Sequence, residues 1–191
     1  MAYLLDRIKQ SLAKEGLAPR SFKARSWLKA KVGDLRPTPA ALMKDRERLK
    51  DKSFIGKMYF FFYDPKLKDS LPYYDRFPLV IPIERYSDGF LGLNLHYIHP
   101  KQRIILLDKL SDTLNNTKFN EKTKFRVTYE YLTAASTAYE AMPCIKRYLF
   151  TNITSRFLEI PADEWDIAAL LPVQQFTASE SKVYADSRKK F

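Results

Sequence analysis

The stretch of residues 56–97 constrains the fold most, because it alternates short apolar runs with clear turn signals. Residues 58–63, 77–83 and 90–97 are apolar and rich in aromatic side chains, and turns such as Asp64-Pro65 and Asp88-Gly89 separate them. Runs of this length between turns are typical of buried strands, and Asp-Gly suits a tight turn. We therefore predict a small, strongly curved antiparallel sheet, either open or partly closed as a barrel.

Two features of these runs predict irregular strand geometry. Pro78 and Pro82 cannot donate to a β-ladder, so the second strand should lie at an edge or contain a bulge. Gly89 and Gly92 indicate a close backbone approach or a bulge in the third strand. The leucines of the third run occupy alternate positions and share one face, which we predict to pack in the core.

Length and composition are compatible with one domain that has appendages, or with two small ones. The chain has 191 residues, of which 46% are hydrophobic and 14% aromatic, so it can bury a core. Cys144 is its lone cysteine, which excludes an internal disulfide and a multi-cysteine zinc site. We find no secretory signal and no apolar run of about 18 residues, so we expect a soluble protein without membrane contact.

The first 52 residues hold most of the positive charge. They contain fourteen Lys and Arg against six Asp and Glu, which is +8 of a formal net charge of +11. Their apolar spacing predicts three helices: one capped near Gly16, one capped by Ser21 and closed by Gly33, and one capped by Thr38 that runs from Pro39 to about Lys50. We predict a basic helical N-terminal arm over residues 1–52 and an α+β core over residues 53–191.

The chain after the sheet is predicted to be mostly helical. Apolar periodicity predicts helices at 101–114 and 121–138, a short helix at 144–153, and a last basic helix capped by Ser179. Residues 156–160 are typical of a strand, and Pro161 starts a helix that ends before Pro172. The predicted fold class is α+β, with a small curved antiparallel sheet or a partly open SH3-like barrel between N-terminal basic helices and C-terminal helices.

The sequence contains none of the common nucleotide-binding, zinc-protease or serine-hydrolase motifs. Its only histidines, His96 and His99, could be two metal ligands or an ordinary hydrogen-bonded or surface pair. Four acids lie near the predicted strand ends: Asp64, Asp75, Glu84 and Asp88. A metal-dependent nuclease places its carboxylates at such positions. Acids at such positions are also ordinary turn chemistry. We predict a protein that is not an enzyme and needs no cofactor or metal, with a metal-dependent nuclease as an alternative.

Strings spread over nearly the whole chain carry a resemblance to a known family. They are IGKMYFFFYDPK (55–66), LPYYDRFPL (71–79), GFLGLNLHYI (89–98), CIKRYL (144–149), EWDIAALLP (164–172) and VYADSRKKF (183–191). In content and order they resemble the DNA end protector, a head-completion protein family of T4-like tailed bacteriophages. The resemblance implies a virion protein that binds and protects the ends of the packaged genome at the portal and neck. The resemblance implies no catalytic residues, because proteins of this family bind DNA ends.

The positive charge agrees with an anionic partner, most often nucleic acid. We predict double-stranded DNA ends and portal, neck or other virion proteins as partners, and a location in the virion and, during assembly, in the host cytoplasm. The alternative is a purely structural neck, tail or baseplate protein whose charge meets acidic neighbours. Tyr73 and Tyr74, in a predicted turn, are candidates for base stacking. The predicted DNA contacts are Arg20, Lys23, Arg25, Lys29, Lys31, Arg46, Arg48, Lys146, Arg147, Arg188, Lys189 and Lys190.

Overall fold

The computed structural model describes residues 2–114, 130 and 144–189, and shows an α+β fold. The strands are β1 (Leu49–Lys50), β2 (Met58–Phe60), β3 (Leu79–Arg85), β4 (Gly89–Asn94), β5 (Ile145–Leu149) and β6 (Phe157–Ile160). The α-helices are α1 (Leu4–Lys14), α2 (Phe22–Leu35), α3 (Pro39–Leu42), α4 (Pro100–Leu114), α5 (Trp165–Leu170) and α6 (Glu180–Lys189). None of the described helices is long and apolar enough to cross a membrane.

The strands form one antiparallel sheet in the order β1-β6-β2-β3-β4-β5, so β1 and β5 are its edges and the sheet stays open. This confirms the predicted α+β class. Strand β3 lies inside the sheet, and a bulge follows its one proline, Pro82, before Glu84, whereas Pro78 precedes the strand. The predicted bulge is therefore present, and the strand is not at an edge. A Cβ on Gly89 would overlap the backbone of Tyr148, and one on Gly92 would overlap the Val80 side chain. The close approach predicted at these two glycines is therefore confirmed.

Both faces of the sheet are buried. One face carries the main core, to which Phe60, Leu79, Ile81 and Leu93 contribute together with the helices. The opposite face carries a second cluster made mostly of aromatic rings: Tyr59, Phe61, Val80, Phe90, Tyr148 and Phe157. Strand β2 and residues 79–83 of β3 are therefore unbroken, fully buried apolar runs, as expected for strands covered on both sides.

The first 52 residues contribute to the main core. The apolar stripe of α1 buries Leu5, Ile8 and Leu12, and α2 buries Leu28 in the same cluster. The predicted boundary at residue 52 stays a prediction about independent folding, which circular dichroism of a chain of residues 53–191 would test. That shorter chain would lose these four side chains from its core.

The predicted caps of the N-terminal helices are confirmed. The side chain of Ser21 accepts a hydrogen bond from the amide of Ala24 at 3.1 Å, and Thr38 accepts one from Ala41 at 3.1 Å. The predicted third helix, from Thr38 to about residue 50, is too long. It ends at Leu42, and residues 49–50 instead pair with β6 as strand β1.

The predicted helix at 144–153 is wrong. Residues Ile145–Leu149 are strand β5, which pairs with β4, and a 3-10 turn follows over Phe150–Asn152. The spacing of Ile145, Tyr148 and Leu149 suits a helix, but Tyr148 pairs with Phe90 and enters the aromatic cluster. Tertiary packing therefore overrides the local pattern. The predicted helix at 121–138 falls outside the described residues, apart from residue 130.

Candidate nucleic-acid interface

Helix α2 turns its lysines to solvent. Its inner side buries Ala24 and Leu28 and packs on α5, while Lys23, Lys29 and Lys31 are exposed on the rest of its surface. Arg36, which follows the helix in a left-handed conformation with φ of 44°, is exposed as well. We call Lys23, Lys29, Lys31 and Arg36 the α2 basic face. Arg36 was not among the predicted contacts, although its position just after a basic helix is a signal for it.

The α2 basic face has little carboxylate compensation. Within the described residues no acid forms an ion pair with Lys23, Lys29 or Arg36, and Lys31 reaches only Asp34, at 3.9 Å. Lys23 also occupies the first turn of α2, where the helix dipole disfavours a cation and where the helix has no acidic residue. An anion bound here would therefore relieve an unfavourable charge arrangement.

Arg25 and Arg20 differ from these lysines because they pair with acids of α4 and α5. The guanidinium of Arg25 donates to both oxygens of Asp108, with one contact of 2.9 Å, and lies 3.4 Å from Asp166. The Asp108 contact raises the pKa of Arg25. Arg20 lies 3.7 Å from the same Asp108. These contacts fasten α2 to α4 and α5, so we leave Arg20 and Arg25 out of the proposed interface.

Arg48 holds three parts of the chain together. It donates two hydrogen bonds to the buried carboxylate of Glu164 and one, of 2.6 Å, to Asp6 of α1. Its Nε lies 2.8 Å from Asp45. Burial on its own would lower the pKa of Arg48, but its contacts with Glu164, Asp6 and Asp45 together raise that pKa above its ordinary value. Arg46, two residues earlier, is exposed. Of this predicted pair, only Arg46 is therefore available to an outside partner.

The second predicted basic group lies on edge strand β5. The ammonium of Lys146 is 4.4 Å from the centre of the Tyr97 ring, and the guanidinium of Arg147 is 4.0 Å from the centre of the Tyr86 ring. Arg147 also pairs with Asp88. Both cations are thus held against aromatic rings. Arg188 and Lys189 belong to the last turn of α6, but their side chains, and all of Lys190, lie outside the described residues.

The two tyrosines predicted to stack on bases are both half-buried. Tyr73 packs against the main core, with its ring centre 6.2 Å from that of Tyr97, and burial raises the pKa of its hydroxyl. The backbone of Tyr74 exchanges hydrogen bonds with Thr177, which joins this loop to the chain after α5. Their assignment to base stacking stays a prediction.

The distinctive strings LPYYD and GLNLHY meet in a buried polar network. Asp75 accepts hydrogen bonds from the amides of Phe77 and Gln175, and its other oxygen lies 2.6 Å from Nδ1 of His96. Asn94 donates to the hydroxyl of Tyr148 at 3.1 Å. Burial lowers the pKa of His96, and Asp75 offsets only part of that effect. The imidazole is therefore neutral at pH 7, and Nδ1 donates to Asp75.

The acids of the alternative nuclease each have their own partner. Besides Asp75, which is engaged with His96, the pairs are Asp64 with Lys68, Glu84 with the Tyr86 hydroxyl, and Asp88 with Arg147. His99 packs against the Tyr184 ring. No group of three or more His, Cys, Asp or Glu among the described residues is arranged to hold a metal ion. Within the described residues, these acids therefore do not come together as a metal site.

Comparison with known proteins identifies the class of the chain. The model of the phage T4 terminal DNA protecting protein family matches residues 4–190, so the chain belongs to this family. The match covers both the basic helices and the sheet. No curated protein and no solved structure matches the chain significantly.

Proposed function

We propose that this chain binds and protects the ends of packaged genomic DNA in a bacteriophage virion, and completes the head at the portal or neck. The α2 basic face is the observation that carries the proposal, and membership of a terminal DNA protecting family supports it. The 14 residues of α2 span about 21 Å, which is roughly the length of six base pairs. Lys23, Lys29, Lys31 and Arg36 are thus spread over several phosphates.

The proposed action is binding without catalysis and without a cofactor. Phosphate contacts by Lys and Arg supply affinity that does not depend on sequence, which suits a protein that must bind any genome end. Protection then follows from occupancy, because a nuclease cannot reach a terminus that the protein covers. In an infected host the protein would act in the cytoplasm during assembly and remain in the virion.

A salt titration with two sets of variants tests the α2 basic face. The test variant replaces Lys23, Lys29 and Lys31 with Gln. The control variant removes the same charge from exposed residues elsewhere, with Lys66→Gln, Arg76→Gln and Lys101→Gln. On linear duplex DNA the plot of log affinity against log salt should become shallower by about 0.9 for each lost phosphate contact in the test variant only.

Two results would contradict this proposal. Equal slopes for the two triple variants would mean that binding depends on total charge and on no particular face. Wild-type affinity that does not change between about 50 and 200 mM salt would remove the electrostatic basis altogether.

One observation favours a second candidate, a purely structural neck, tail or baseplate protein. Phe22, at the start of α2, is 84% exposed, and aromatic side chains are enriched in protein–protein interfaces. In this case the α2 basic face contacts an acidic protein in the particle. Purified protein would then bind no duplex at moderate salt, while the α2 triple variant would still be lost from assembled particles.

A further inference from the structure

A groove opens beside the aromatic cluster, away from α2. It consists of two neighbouring depressions of about 300 and 260 Å³, and Ser53 and Arg85 line both of them. Aromatic rings line both, with Phe54 and Phe90 at one end and Phe150 and Phe157 at the other. We call this surface the aromatic groove. The larger depression alone reaches the lower limit of the volumes typical of pockets that bind organic ligands.

Arg85 occupies the middle of the aromatic groove in a fixed position. One of its terminal nitrogens donates to the carbonyl of Ser53 at 3.0 Å, and its guanidinium lies 5.2 Å from the centre of the Phe150 ring. Within the described residues no carboxylate pairs with it. A guanidinium has five N–H donors, so donors remain for an acceptor in the groove. Its planar faces also suit stacking.

Phe54 gives the groove an exposed aromatic surface. Its side chain is 57% exposed, whereas the rings of the aromatic cluster below it are buried. Its backbone amide donates to the Tyr59 hydroxyl at 3.0 Å, so the loop that carries it is anchored. The ammonium of Lys57 lies 5.8 Å from the ring. Lys57 is also paired with Glu159 at 2.8 Å, so the exposed ring of Phe54 itself is the feature that suits base stacking.

We propose that the aromatic groove binds unpaired nucleotides at the terminus of a DNA strand. Bases would stack on Phe54 and on the Arg85 guanidinium, and the phosphates would meet Arg85 and the exposed Lys52 at the rim. The exposed ring of Phe54 fits any base. Arg85 and Lys52 complement the charge of the strand, and Asp51 at the same rim is already paired with Arg156 at 2.7 Å. This inference rests on the proposed function and adds to it that the protein recognises single-stranded nucleotides at the end, separately from the duplex phosphates that α2 contacts.

The test compares blunt duplex with the same duplex bearing a three-nucleotide single-stranded tail, in which one base is 2-aminopurine. Wild-type protein should bind the tailed duplex more tightly by about 5- to 150-fold per stacked base, with a change in 2-aminopurine fluorescence. Phe54→Ala and Arg85→Gln should reduce that preference and the fluorescence change. Phe22→Ala is the matched control, because it removes an exposed phenylalanine outside the groove and should keep the preference.

The outcomes separate this inference from the proposed function. Equal wild-type affinity for blunt and tailed duplex would overturn the groove assignment while leaving duplex binding by α2 intact. A wild-type protein that binds neither duplex would refute the proposed function itself. If Phe54→Ala left DNA binding unchanged but removed the protein from assembled particles, the groove would be a protein contact and the inference would be wrong. The affinities of the wild-type protein for blunt and tailed duplex test the inference even if a variant does not fold.

Discussion

Replacing Arg48 with Gln should destabilise the fold far more than the same replacement at its exposed neighbour Arg46. Arg48 contacts carboxylates from three places: Glu164 before α5, Asp6 in α1, and Asp45 in the turn before β1. The side chain of Glu164 is 1% exposed, so without Arg48 a buried carboxylate loses its two hydrogen bonds from the guanidinium. A buried charge that loses its partner is among the few mutational mechanisms with a large effect on stability.

The size of the effect follows from the remaining contacts. Removing one partner of a buried ion pair typically costs about 3–5 kcal/mol. Lys9 still lies 2.9 Å from Glu164, and the Asp6 side chain is 37% exposed, so both reduce the loss. We therefore expect Arg48→Gln to lower the free energy of unfolding by about 2–4 kcal/mol. For a chain of this length that corresponds to a fall in Tm of roughly 5–15 °C.

Urea unfolding followed by tryptophan fluorescence measures this difference. Trp165 is buried next to Glu164, and its indole N–H donates to the carbonyl of Ile160, so its emission reports on this region. Arg46→Gln should change stability by less than about 0.5 kcal/mol. Equal midpoints and slopes for the two variants would refute the structural role of Arg48. At a temperature where it is folded, Arg48→Gln should also keep its affinity for duplex DNA.

Three further predictions concern the core. Because Leu93 is 2% exposed, Leu93→Asp should prevent folding or cost more than about 4 kcal/mol. The control Ile105→Asp, at a half-exposed position, should cost less than about 1 kcal/mol. If Leu93→Asp melted like the wild-type protein, the face that carries Leu93 would not be buried. Because burial lowers the pKa of His96 below its ordinary 6.5, the unfolded chain takes up a proton that the folded chain does not. Stability should therefore fall from pH 7 toward pH 5, and less steeply in His96→Gln; an equal slope in both proteins would contradict the neutral imidazole. Burial raises the pKa of the Cys144 thiol to about 12. A thiol reagent at pH 8 should therefore label Cys144 only after the protein unfolds. Rapid labelling of the native protein would contradict the burial of this side chain.

Local signals in the sequence were sufficient for several elements. Residues that are close together in the sequence determine each of these elements: the apolar stripe of α1, the serine and threonine caps, helix α4 and strand β6. The first two strands of the 56–97 stretch were also recognisable from their apolar runs, although β2 ends at Phe60 whereas the predicted strand runs to Tyr63. The third run is shorter as a strand than predicted, because the side chain of Asn94 caps a 3-10 turn over Leu95–Tyr97.

Features that depend on distant residues could not be predicted. Strand β5 was mistaken for a helix because its partner, β4, lies more than 50 positions earlier in the chain. The partner of Arg48 is 116 positions away and that of Arg25 is 83 positions away, so neither arginine could be separated from the solvent-exposed cations by sequence. The strings LPYYD and GLNLHY proved to be structural, because they supply the buried contacts of Asp75, Asn94 and His96.

A competition experiment tests most directly whether this protein recognises DNA ends. Labelled linear duplex bound to the protein is challenged with unlabelled linear duplex or with a covalently closed circle of the same sequence and length. Both competitors present the same phosphates, so a protein that binds only through charge would be displaced equally by both. If the protein recognises ends, the linear competitor displaces it at a much lower concentration than the circle does. Equal displacement by the two competitors would contradict end recognition.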